Sequence, residues 1–206
     1  MPESMPHDMP DPMTGLADPA RVAGEAARVF EALGLDYLVG GSLASTLYGE
    51  PRGTFDVDFA ANVPSARADD LAAGLSRDFL VDPESVREAA STKRMFNAIH
   101  ARLYVKLDVH VRAVEGHFAA ELARAKVITL APGLQARFAT AEDVLVKKLW
   151  WYRKGDGASD RQWRDVLGIL RSMGARLDLD HCRHWSKTLG TLDLLERALD
   201  EVARER

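Results

Sequence analysis

The spacing of apolar residues changes along the chain, and each change predicts an element. Over residues 18–33, "DPARVAGEAARVFEAL", Val22, Ala26, Val29, Phe30 and Leu33 fall on one helical stripe. Asp18 is placed to cap this helix, Pro19 sits at its first position and Gly34 stops it. "DYLVGG" (36–41) reads as a short buried strand running into a glycine turn, and "SLASTLYG" (42–49) as two helical turns closed by Gly49. After the turn "EPRGT" the period drops to two, and "FDVDFAANV" (55–63) alternates as a strand. Helices follow at 65–75 and 83–90, then two strands within 96–112 as a hairpin, a short helix at 117–124 and one or two short strands in 126–139.

From Thr140 the period stays helical. Helices near 140–154, 159–173, 179–189 and 191–204 are each opened by a capping residue, Thr140, Ser159, Asp178 and Thr191, with Gly174 and Gly190 as stops. No internal repeat is present. The order predicts an α/β domain over 17–135 followed by a helical region over 136–206, with the boundary at "APG". Ahead of both, "MPESMPHDMPDPM" spaces four prolines between methionines and offers little apolar surface, so residues 1–16 read as a disordered leader.

Composition narrows the function classes. The 206 residues carry a net charge of −4, so the chain lacks the global basic field of a dedicated DNA-binding domain. One cysteine, Cys182, excludes an internal disulfide framework and a multi-cysteine metal site, which fits a reducing cytoplasm. No apolar run approaches transmembrane length, so no membrane association is expected.

The strand at 55–63 raises a chemical question. Phe55, Val57 and Phe59 share one face, which leaves Asp56 and Asp58 as neighbours on the other, where like charges repel. Solvation, protonation of one acid or a cation between them would relieve this. In "YVKLDVHVR" (104–112) the pattern repeats: Val105, Leu107, Val109 and Val111 face one way, and Lys106, Asp108, His110 and Arg112 the other. If the two strands are neighbours, Asp56, Asp58 and Asp108 converge. Three carboxylates on a rigid sheet suit a hard cation, Mg²⁺ or its alternative Mn²⁺, and two such ions about 4 Å apart would clamp a phosphoryl displacement. Gly40 and Gly41 let the backbone approach a ligand closely, and a helix opening at Ser42 points free N–H groups at an anion. Taken alone, the Asp-x-Asp reads as a solvated face and the Gly-Gly-Ser as a common turn. Their short spacing, with a third strand acid downstream, favours a site.

This combination resembles the nucleotidyltransferase superfamily, whose fold is named after DNA polymerase β. Within it, "GGSLASTLYGEPRGTFDVDF" and "EDVLVKKL" are most similar to bacterial minimal nucleotidyltransferase-like proteins, including the AbiEii-type toxins of toxin–antitoxin and phage-abortive systems. Their blocks "GGxA…RxTxDxD", "KxD" and "EDLxxxKL", followed by an acid-containing helix, are matched over roughly residues 36–170 by Arg52, Thr54, Lys106, Glu142, Asp143, Lys148 and Asp165. Here "GDGASDRQWRDV" spreads out an acid motif that is compact in some of the toxins, which leaves the roles of Asp160, Arg161 and Asp165 open. The resemblance implies an α+β fold: a mixed sheet flanked by helices, with a C-terminal helical segment closing a cleft. It implies transfer of a nucleoside monophosphate from an NTP to an acceptor hydroxyl, with pyrophosphate leaving. Asp56 and Asp58 would hold both metals, and Asp108 the catalytic one while acting as general base. Gly40, Gly41 and Ser42 would hold the triphosphate, with Arg52, Lys106 and Lys148 against phosphate charge. The acceptor would be a tRNA end, a protein or a small molecule. The rival readings are a non-catalytic nucleotide- or partner-binding protein on this fold, and a toxin with an antitoxin partner.

Several residues admit two readings. Arg52 would hold phosphate or pair with Asp56 or Asp58, and Lys106 carries the same ambiguity beside Asp108. Lys148 borders an apolar helix face, where a lysine also snorkels, and Lys147 is expected to face solvent. "WWYRK" (150–154) reads as core at helical spacing, with Tyr152 inward, as do Trp163, Val166, Leu167 and Leu170 in the next helix. His181 and His184 have a metal-compatible spacing but no further ligand in sight, so they read as structural or surface residues. His100 and His110 are placed to face the cleft, without an assigned role.

Overall fold

Alternation over residues 56–61 produces a central strand, and the rest of the sheet forms around it. The computed structural model describes residues 14–205. Helix α1 (Thr14–Ala32) leads into β1 (Tyr37–Val39), α2 (Gly41–Tyr48) and β2 (Asp56–Ala61). A 3₁₀ turn (Ser65–Arg67) then joins α3 (Ala68–Leu75), β3 (Phe79–Val81), α4 (Pro83–Thr92) and the strands β4 (Met95–His100) and β5 (Lys106–Val111). Helix α5 (Gly116–Arg124) and the strands β6 (Lys126–Ala131) and β7 (Leu134–Phe138) complete the mixed part. Helices α6 (Ala141–Lys154), α7 (Asp160–Met173), α8 (Leu179–Thr188) and α9 (Leu192–Arg204) follow.

The strands form one mixed sheet in the order β3-β4-β5-β2-β1-β7-β6. Strands β2 and β5 run parallel and β4 and β5 antiparallel, so the expected hairpin is present and its second strand lies beside the Asp-x-Asp strand. The inner face of β2, β4 and β5 is the apolar half of each alternation: Val57 and Phe59, Phe96 and Ala98, Leu107 and Val109. Phe30 of α1 packs on Tyr37 and Phe59, whose rings stack 5.2 Å apart. The core is continuous from α1 into α9, where Leu195, Ala198 and Val202 are buried. Trp163, Val166, Leu167 and Leu170 line the inner face of α7 as their spacing predicts.

Several sequence expectations are corrected. Pro19 lies inside α1, which starts at Thr14, and a proline in a second turn forfeits one backbone hydrogen bond. Residues 1–13 of the expected leader lie outside the described residues. Strand β3 was not expected; it is three residues long and pairs only with β4, at the sheet edge. Phe55 precedes β2 and is 79% exposed, so the alternation stops one residue short of it. Thr140, Ser159 and Asp178 cap with their side chains, whereas the Thr191 hydroxyl turns to the Ser186 carbonyl. His100 faces away from the cleft: it is buried and bonds Glu25 of α1 at 2.8 Å.

Candidate active site

The outer face of β2 and β5 floors a cleft of about 360 Å³. Gly40, Gly41, Ser42, Asp56, Asp58, Asp108, His110, Lys147 and Lys148 all line it. The parallel register sets Asp58 directly beside Asp108, and Asp56 beside Lys106. The three acids therefore share one patch of the sheet, as period-two alternation on adjacent strands requires.

The glycine turn is built against this patch. The Gly40 N–H donates to the Asp58 carbonyl at 2.9 Å, tying the start of α2 to β2. Gly41 has a φ of +59°, and a Cβ there would lie 1.8 Å from Asp58 Oδ2, so no other residue fits while Asp58 keeps its place. No side chain caps α2, which leaves its N-terminal N–H groups facing the cleft. The buried Thr54 hydroxyl bonds the Asp56 backbone and fixes the entry to β2.

Asp108 is oriented by two partners. Asn97 Nδ2 donates to it at 2.8 Å from β4, and Lys106 Nζ lies 2.9 Å away. Asp56 and Asp58 have no basic partner within salt-bridge distance among the described residues. Burial pushes the Asp58 carboxyl up; the His110 and Lys148 charges oppose this, and Asp108 and Asp56 add to it. Burial likewise lowers the His110 imidazole, against Asp58. A desolvated carboxylate with two further carboxylates on the same patch of sheet fits a hard divalent cation. The three carboxylates are not preassembled into a tight cluster. Among the described residues, the group of three whose ligand atoms all lie within 4.8 Å of one another is His117, Asp143 and His181.

The cations follow a different plan from the one expected. Arg52 pairs with neither Asp56 nor Asp58; its Nε and Nη2 grip both oxygens of Asp165 at 2.9 and 2.8 Å. Nη2 also donates to Ser42 Oγ at 2.7 Å, so one guanidinium links the α2 turn to α7. Lys148 Nζ lies 2.7 Å from Asp165 Oδ2, and Lys148 is only 5% exposed. Burial lowers the Lys148 pKa, opposed by Asp165. Burial alone would raise the Asp165 carboxyl, but the Arg52 hydrogen bonds and the Lys148 charge hold it below the usual carboxylate range. Asp165 is thus the anchor of the basic wall. Lys147 does not face solvent: it lines the cleft and sits 3.3 Å from Glu121 of α5. Asn97 was not singled out from the sequence, although it stands opposite Asp108 once the hairpin register is counted.

The architecture recurs in solved structures. An antigenic nucleotidyltransferase-like protein from Paracoccidioides brasiliensis is 17% identical, with a TM-score of 0.51 over 89% of this chain and 92% of that one. The antibiotic-resistance factor ANT(2'')-Ia in solution is 14% identical, with a TM-score of 0.54 over 86% of this chain and 96% of that one. The same factor in complex with adenylyl-2''-tobramycin is 15% identical, with a TM-score of 0.52 over 82% of this chain and 97% of that one. The chain therefore has the nucleotidyltransferase fold. No family model and no curated protein matches the sequence. No helix among the described residues is long and apolar enough to cross a membrane.

Proposed function

We propose that this chain is a metal-dependent nucleotidyltransferase that moves a nucleoside monophosphate from an NTP to a hydroxyl of a small-molecule acceptor. The observation that carries this reading is the in-register pair Asp58–Asp108, set against a glycine turn that admits no side chain. Asp56 and Asp58 would hold two Mg²⁺ ions, with Asp108 completing one site. Bound there, the ions supply Lewis-acid stabilisation of charge on the phosphoryl oxygens. The free N–H groups of α2 and the Ser42 hydroxyl bind the triphosphate, and Lys148 and Arg52 stand behind it.

Transfer then balances as an in-line displacement. The acceptor oxygen bonds to the α-phosphorus, the bond from that phosphorus to the bridging oxygen breaks, and pyrophosphate leaves with the electron pair. The hydroxyl proton passes to Asp108, which Asn97 and Lys106 hold in position. A small acceptor is favoured by the chain's net charge of −4, which provides few cations for a nucleic-acid backbone. It is also favoured by the neighbour whose complex holds adenylyl-2''-tobramycin.

Incubation with α-phosphate-labelled NTPs, Mg²⁺ and a fractionated lysate tests this. Label is expected in the small-molecule fraction and pyrophosphate in solution, with Asp58→Asn abolishing both. Label in the RNA or protein fraction would overturn the choice of acceptor. If calorimetry shows no binding of Mg²⁺-NTP to the wild type, the enzyme reading itself is wrong.

A further inference from the structure

In the wall of the cleft, which Asp143 and Glu121 help to line, three helices bring together two imidazoles and a carboxylate. His117 of α5, Asp143 of α6 and His181 of α8 present ligand atoms within 4.8 Å of one another. His181 Nε2 is 2.8 Å from Asp143 Oδ1, and His117 Nε2 is 3.4 Å from the same oxygen. Asp143 is fully buried and His117 is 8% exposed. Neither ring nitrogen of buried His117 makes a well-formed hydrogen bond, although each faces a carboxylate oxygen 3.4 Å away.

The surroundings match those of a metal site. Thr140 Oγ1 donates to Asp143 Oδ2 at 2.8 Å, which fixes the carboxylate and leaves Oδ1 to face the histidines. Behind His117, Glu121 Oε2 stands 3.4 Å from Nδ1, where an outer carboxylate orients a metal-bound histidine. Lys147 and Arg124 lie near Glu121 and Asp143 and offset their charge. The Trp185 ring meets His117 edge-on, with ring centroids 4.8 Å apart.

We infer that His117 Nε2, His181 Nε2 and Asp143 Oδ1 bind one divalent transition-metal ion, with Zn²⁺ the best match. Two imidazole nitrogens and one carboxylate oxygen select a borderline ion such as Zn²⁺ over Mg²⁺. In a tetrahedral zinc site, neighbouring ligand atoms lie about 3.4 Å apart. The His117 contact has that spacing already. The His181 contact opens by about half an ångström once a metal replaces the shared proton. The ion ties α8 to α5 and α6, and so fastens the C-terminal helices to the elements that supply Glu121, Lys147 and Lys148 to the cleft. This site is separate from the carboxylate patch and stands whether or not that patch turns over NTP.

The test uses the full chain, stripped with chelator, dialysed against Zn²⁺ and desalted, with metal content read by mass spectrometry. One Zn²⁺ per chain is expected, retained in an Asp56→Asn/Asp58→Asn variant and lost in His117→Ala/His181→Ala. Zn²⁺ should also raise the melting temperature of the wild type and leave that of the histidine variant unchanged. Should the double variant fail to fold, His181→Gln alone, at the most accessible ligand, gives the same comparison. A wild type that retains no Zn²⁺, or a folded histidine variant that retains as much as the wild type, overturns the site and leaves a hydrogen-bonded polar cluster.

Discussion

Replacing Asp165 by alanine probes the basic wall most directly. Three charge-assisted hydrogen bonds converge on this side chain, two from Arg52 and one from Lys148. The two cations respond differently to its loss. The Arg52 side chain is 27% exposed and regains water, so its share of the cost is small. Lys148 has a side chain only 6% exposed and would be left as a buried, unpaired ammonium beside Asp58. Breaking a buried pair from one side costs about 3–5 kcal/mol, and the lower end applies because Asp58 still attracts the lysine. For a chain of this size, ~3 kcal/mol lowers Tm by roughly 6–12 °C. Thermal melts by circular dichroism on metal-free protein read the shift. Adding Lys148→Met removes the stranded charge, so the double variant should melt above Asp165→Ala alone. An Asp165→Ala protein melting within about 2 °C of wild type, or a double variant whose losses simply add, would refute the view that Asp165 neutralises Lys148.

Two further outcomes follow from the same geometry. Gly41→Ala adds a Cβ 1.8 Å from Asp58 Oδ2 at a φ of +59°, which displaces the carboxylate and costs about 1–2 kcal/mol of backbone strain. Nucleotide affinity and turnover should both collapse while the circular dichroism spectrum is kept, and an active Gly41→Ala protein would show that Asp58 need not stay where it is. Stability should fall on acidification, because hydrogen bonds from Arg21 and His100 hold the Glu25 carboxyl down despite burial, as those from Arg52 do for Asp165. Their contribution is complete above the ordinary carboxylate values of 4.5 and 3.8 and is lost as pH drops through the lower folded values. Urea unfolding between pH 6 and pH 3 measures the slope, which Glu25→Gln should flatten; a wild type equally stable at both ends contradicts the assignment.

Much of the site was legible in the sequence because it lies on strands. Period-two alternation placed Asp56, Asp58 and Asp108 on polar faces without knowledge of pairing, and only the neighbourhood of β2 and β5 had to be supplied. The glycine turn was legible for a related reason, since a tight approach leaves its mark as a missing side chain. What stayed hidden depends on contacts between distant helices. Arg52 and Asp165 are 113 positions apart, and nothing near either residue says that α7 lies against the α2 turn. His117, Asp143 and His181 come from three helices, so no local spacing in the sequence brings them together. Lys147 was misplaced because α6 is enclosed by α2, α7 and α8 and meets Glu121 of α5 through Lys147 itself, so a polar position on it need not face water. Strand β3 lacks both length and alternation, and Phe55 continues an apolar pattern past the point where the sheet ends.

The glycines at the far end of α2 have a mechanical consequence. A Cβ on Gly49 would lie 3.1 Å from the Ile169 backbone nitrogen, and one on Gly168 would lie 3.2 Å from that of Glu50. The end of α2 and the middle of α7 therefore meet main chain to main chain, with no side chain between them to act as a bearing. A side chain larger than hydrogen at either glycine would push α7 away from the end of α2. On the opposite rim His110 and the half-exposed Trp151 ring face each other at 6.1 Å. One side of the cleft, carrying Arg52, Asp165 and the glycine turn, is thus braced by direct backbone packing of α7 on the end of α2, so a substitution at Gly49 or Gly168 would be felt at Ser42 and Arg52 although neither glycine lines the cleft.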